Sequence, residues 1–155
     1  NSYHGEKIMA SQIASGNLIA DRYASALYEL AADKNLLDSM LSDLNSLLSI
    51  LKENKNLKLV INSPLISSSD KLKVFKKILT NTNVNKLTLT FLSVIKNNKR
   101  FSYLESIINQ FININDLINK MINNKLNVKA YQINEDEWFD IGEWPEYYKT
   151  LENIS

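Results

Sequence analysis

Apolar side chains recur every three or four positions through most of this chain, which is the rhythm of helices that bury one face. The cleanest stretch is Leu37, Met40, Leu41, Leu44, Leu47, Leu48 and Leu51, with Ser, Asp, Asn and Lys between them. It predicts a helix over about 36–53. Before it, Asn17 is placed to cap a helix running to about Asp33, and Lys34-Asn35 breaks the two apart. Asn54-Lys55-Asn56 reads as a turn, and a short helix over 57–61 must end before Pro64, because the residue preceding proline is pushed out of the α region. Ser67 to Asp70 offers N-cap side chains for a fourth helix to about Leu79, with Leu72, Phe75, Ile78 and Leu79 inward. Thr80 to Asn83 reads as a loop. A fifth helix is predicted over about 85–98, and a sixth from near Ser102 to Asn123 carries Leu104, Ile107, Ile108, Phe111, Ile118, Met121 and Ile122, with Asn115 a polar interruption. The expectation is an all-α, six-helix bundle whose core includes Leu30, Leu44, Phe75, Phe91, Ile108 and Phe111.

Two of these helices carry more apolar surface than a core stripe needs. In the first, Ile19, Tyr23, Ala26, Leu27 and Leu30 form one stripe and Ala20, Ala24, Tyr28 and Ala31 a second. In the fifth, Leu87, Phe91, Val94 and Ile95 line up toward the core while Leu89 and Leu92 lie off that line. A second stripe rich in alanine allows close approach of a partner helix. It equally suits a helix enclosed on all sides at the centre of the bundle, and periodicity does not choose between the two.

The pattern changes after Asn124. Leu126 to Ile133 alternates apolar and polar, the period of a short strand. An acidic, aromatic segment follows, with both tryptophans, and Pro145 is placed to start a short terminal helix. At the other end, Met9-Ala10-Ser11 resembles a translation start, so residues 1–8 are expected to be upstream sequence. The domains expected are a leader over 1–16, a helical domain over 17–124 and an irregular extension over 125–155.

The 155 residues suffice for one domain with a core, and 45% hydrophobic with 23% charged residues is a globular balance. A formal net charge of +1 gives no field that would draw nucleic acid or an anionic membrane. Cysteine is absent, which removes disulfides, thiolate metal sites and thiol nucleophiles. No run of about 18 apolar residues crosses a bilayer. Candidate chemistry is sparse. His4 is the sole histidine and lies in the leader, so no serine has a histidine base in the helical domain. No glycine-rich loop precedes a helix, so no nucleotide site is expected. Glu135, Asp136, Glu137 and Asp140 are carboxylates suited to a hard cation, but without EF-hand spacing they read as a solvated segment. Lys71, Lys73, Lys76 and Lys77 make a basic helix face of ordinary spacing, the basis of an alternative reading as an RNA-associated adaptor. No catalytic residue, cofactor or metal is expected.

Three segments in order carry a family resemblance. Arg22-Tyr23-Ala24-Ser25-Ala26-Leu27-Tyr28-Glu29-Leu30-Ala31 is similar to the first helix of the delta subunit of bacterial F-type ATP synthase, the relative of the mitochondrial oligomycin sensitivity-conferring protein, which typically reads Arg-x-Tyr-Ala-x-Ala-Leu-x-Glu-Leu-Ala. Leu57 to Ile66 is similar to that family's leucines followed by Asn-Pro-x-Ile, with Ser63 inserted between Asn62 and Pro64. Leu89 to Arg100 is similar to its Asn-Phe-Leu and Asn-x-Arg segment, with Thr90 in place of asparagine. The resemblance covers about 17–130. It implies a non-catalytic stator subunit at the cytoplasmic face of the bacterial inner membrane, peripheral and without membrane insertion. In that family the helical domain binds the N-terminal helices of the alpha subunits in a groove between the first and fifth helices. A C-terminal domain binds the b-subunit peripheral stalk, and this chain would make that contact only if such a domain were present. The groove residues expected here are Tyr23, Ala24, Leu27, Tyr28, Leu89, Leu92 and Lys96.

The tail resembles something else. Trp138-Phe139-Asp140-Ile141-Gly142 with Pro145-Glu146 and Tyr148 is similar to the end of sugar-phosphate nucleotidyltransferases, where the motif's aspartate, here Asp140, lies near the metal. That family's glycine-rich nucleotide loop is absent. The chain therefore reads as a join of two unrelated sequences, a non-native one being favoured, and a nucleotidyltransferase remnant is the enzyme alternative.

Overall fold

A computed structural model describes residues 15–124, and over these the chain is helical, with no strand. The helices are α1 (Leu18–Asp33), α2 (Leu37–Glu53), α3 (Lys55–Asn62), α4 (Ser68–Ile78), α5 (Lys86–Asn97) and α6 (Leu104–Asn123). Short 3-10 turns at Leu79–Asn81 and Phe101–Tyr103 close α4 and open α6. The expected leader up to residue 14, the strand over 126–133, the helix at Pro145 and the acidic segment with Asp140 lie outside the described residues.

Local side chains set most of the boundaries. Asn17 begins α1 by accepting the Ala20 amide at 3.1 Å, and Ser67 begins α4 by accepting that of Asp70 at 3.1 Å. Each satisfies one of the first-turn N–H groups that no helical carbonyl can reach. The turn expected at 54–56 is instead the start of α3. Asn54 accepts the Leu57 amide at 3.1 Å, so the helix begins at Lys55, two residues before the first leucine. Ser63 ends it in an extended conformation, as a residue before proline must. The sixth helix does not begin at Ser102, because residues 101–103 form a tighter turn before the α-helix starts at Leu104.

Two joints use left-handed residues. Asn35 (φ 57°) ends α1 and Lys99 (φ 56°) ends α5. In both, amides beyond the helix bond back to its last carbonyls: Leu36 N–H to Ala31 O at 2.7 Å, and Arg100 N–H to Ile95 O at 2.9 Å. This closure satisfies carbonyls that the helix itself leaves open and turns the chain sharply into the next element.

The core runs through all six helices. Leu30, Leu44, Phe75, Phe91, Ile108 and Phe111 are fully buried in it, as their spacing predicts. α1 packs along α6, where the Tyr28 and Phe111 rings meet at 5.5 Å and a tilt of 57°. Phe75 of α4 stacks on Phe101 at 5.5 Å, tying the second half of the bundle to the α5–α6 joint. Such ring pairs add roughly 0.5–1.5 kcal/mol beyond the area they bury.

Candidate partner-binding site

The two helices with extra apolar residues differ in how the fold uses them. Every residue of α1 from Tyr23 to Ala31 is buried, an unbroken run of more than two turns. A run of that length points in every direction around the helix axis. So the second stripe, Ala20, Ala24, Tyr28 and Ala31, is enclosed within the chain and is not an open face. Of the two readings that periodicity left open, α1 shows the enclosed one.

In α5 the extra residues part company. Leu92 is 0% exposed, although it lies off the line of Leu87, Phe91, Val94 and Ile95, whereas Leu89 is 36% exposed. Leu89, Ser93, Lys96 and Asn97 follow the i, i+4, i+7, i+8 rhythm and none of them is buried. They form the accessible stripe of α5. Of the seven candidate residues, Ala24, Leu27, Tyr28 and Leu92 thus lie in the core, Tyr23 is 7% exposed, and Leu89 and Lys96 remain open to solvent.

A hydrogen bond ties α1 to the residue that follows α5. The Asn98 side-chain N–H donates to the Tyr23 hydroxyl oxygen at 2.8 Å. The next residues complete the joint: Lys99 takes the left-handed conformation, and the Arg100 guanidinium lies 5.5 Å from the centre of the Tyr103 ring. The Tyr23 motif of the first helix and the Asn98–Arg100 motif after the fifth, far apart in sequence, therefore meet in space.

A second set of contacts holds the other end of α5. Asn85 caps the helix by accepting the Leu87 amide at 2.9 Å. Asp43 of α2 accepts the Asn85 backbone N–H at 2.8 Å and the hydroxyl proton of Thr88 at 2.7 Å. Thr88 is fully buried, and Met40 Sδ lies 3.2 Å from its oxygen. Sequence reasoning placed Asp43 on the solvated face of its helix and passed over Asn85 and Thr88. Their only local signal is a cap, Asn85, whose third following residue is threonine and not the glutamate or glutamine that would reach back to it.

Comparison with known proteins adds what geometry alone does not. The family model for the ATP synthase delta (OSCP) subunit matches residues 19–140. The chain belongs to the ATP synthase delta (OSCP) subunit family. Its match starts in the first turn of α1 and runs through every helix of the bundle. Among curated members, ATP synthase subunit delta of Rhizobium johnstonii is 36% identical over 101 residues, 65% of this chain and 53% of that protein. The subunit delta of Paramagnetospirillum magneticum is 35% identical over 95 residues, covering 61% and 52%. That of Rhodospirillum rubrum is 35% identical over 104 residues, covering 67% and 56%. The chain spans about half the length of the curated relatives it matches. No solved structure matches it.

Among the described residues, no group of three or more His, Cys, Asp or Glu side chains could hold a metal ion, and no helix is long and apolar enough to cross a membrane.

Proposed function

We propose that this chain acts as a non-catalytic stator subunit of F-type ATP synthase, its helical domain binding an amphipathic N-terminal helix of an alpha subunit. It joins the catalytic head to the peripheral stalk and sits peripherally at the cytoplasmic face of the inner membrane. The observation that carries this reading is the family match over the entire bundle, from α1 through α6. The named relatives are delta subunits of ATP synthase. Contact with the b-subunit stalk would belong to the part of the relatives that this chain does not match.

The binding site in this reading is the junction of α1 and α5. Leu89 supplies an apolar anchor and Lys96, two turns along the same face, a charge for the polar edge of a partner helix. Tyr23 ties α1 to Asn98 at the end of α5, while Ala24, Leu27, Tyr28 and Leu92 are buried in the core and offer no surface to a partner. Calorimetric titration with an alpha-subunit N-terminal peptide tests this. Saturable one-to-one binding that Leu89→Arg abolishes is the expected result. No binding by a folded domain, or binding indifferent to Leu89→Arg, would overturn the site.

A further inference from the structure

The first turn of α5 is not finished by its own residues. Asn85 satisfies the Leu87 amide, but the Asn85 amide has no helical carbonyl to reach. In a local capping box a glutamate at the third helical position bonds back to that amide. Here the third position is Thr88, too short to do so, and Asp43 from α2 takes the role. Its carboxylate receives the Asn85 amide at 2.8 Å and the Thr88 hydroxyl at 2.7 Å, so one oxygen ties the cap residue and the third helical residue to a neighbouring helix. Asn85 adds a longer contact, its side-chain N–H lying 3.4 Å from Ser39 Oγ. A carboxylate at a helix N-terminus also meets the positive end of the helix dipole.

The next residue is Leu89. Its own amide reaches Asn85 O at only 3.4 Å, against 3.0 Å for the Thr88 amide to the same oxygen. The turn that presents Leu89 is therefore weakly closed from within and held from outside by Asp43. We propose that Asp43 is a positioning residue for partner binding, completing the cap of α5 across the α2–α5 junction so that Leu89 is held ready for a partner helix. This rests on the stator reading and on its α1–α5 site. Asp43 lies on α2, outside the α1–α5 site, so its effect passes through the turn it holds.

Asp43→Ala and Asp43→Asn in the full chain test it by two readouts. Amide hydrogen exchange over 86–89 should rise about tenfold in Asp43→Ala relative to the middle of α5, and less in Asp43→Asn, which keeps one acceptor. Affinity for the alpha-subunit N-terminal peptide should fall roughly five- to tenfold in Asp43→Ala, and adding Asp43→Ala to Leu89→Ala should weaken it less than about twofold further, because residues acting as one unit are not additive. Unchanged exchange over 86–89, or a full additional loss on the Leu89→Ala background, overturns the proposal while leaving the stator reading standing. If the wild-type chain fails to bind the peptide at all, the stator reading falls and this proposal with it. If Asp43→Ala does not fold, the Asp43→Asn values decide alone, on the same criteria.

Discussion

Two residues separate surface from support most sharply. Ala24 is fully buried in α1, so an arginine there would place a charge and a long side chain where neither has room. An unpaired buried charge costs on the order of 3–5 kcal/mol, a large part of a small domain's whole stability. Ala24→Arg should therefore unfold the domain, visible as lost cooperativity in a thermal melt. Leu89→Arg, on the open stripe of α5, should change stability by less than about 0.5 kcal/mol. A melt of Ala24→Arg superimposing on that of the wild type would show that α1 is not enclosed. The same contrast explains a limit of sequence reading at this scale. Leu89 and Leu92 looked alike, both off the core line of α5, yet one is exposed and the other sealed. Three residues at 100° each leave them only about 60° apart around the helix, so periodicity groups them together and only the position of the neighbouring helices decides which of the two is covered.

At the scale of elements, much was legible because local chemistry sets it. α2 needed only its leucine spacing, and Asn17 and Ser67 announced the helices they cap. The start of α3 was missed because Asn54-Lys55-Asn56 has the composition of a turn, and an asparagine cap is itself a turn residue. Asn54→Ala should cost about 1 kcal/mol in chemical denaturation, comparable to Ser67→Ala, since each removes one cap bond. A neutral Asn54→Ala would show that the Leu57 contact does not hold the helix start. The joints give a prediction of opposite sign. Lys99 holds a left-handed backbone that a Cβ disfavours by roughly 1 kcal/mol, so Lys99→Gly should leave stability unchanged or raise it by up to about 1 kcal/mol. The tie of Asp43 to Asn85 and Thr88 was not legible, because it spans two helices far apart in sequence and each residue alone looks like ordinary polar surface.

For the whole molecule, the bundle carries its own core from α1 to α6, and the aromatic pairs Tyr28–Phe111 and Phe75–Phe101 lie within it. Deleting residues 134–155 should leave a cooperative, helical unfolding transition within a few degrees of the full chain, and its loss would show that the deleted residues complete the core. Partner recognition was the least legible property, since a second apolar stripe on a helix describes both an enclosed helix and a docking face. What supports the docking reading is the family match, together with the open stripe of α5 beside the Tyr23–Asn98 tie.

The most direct measurement is an NMR titration of the isotopically labelled chain with an alpha-subunit N-terminal peptide. Saturating shifts at Leu89, Ser93 and Lys96, extending to Tyr23 and Asn98 and sparing the lysines of α4, are the expected result. Saturation with shifts confined to the Lys73–Lys77 face, or no shifts at peptide excess, would contradict it.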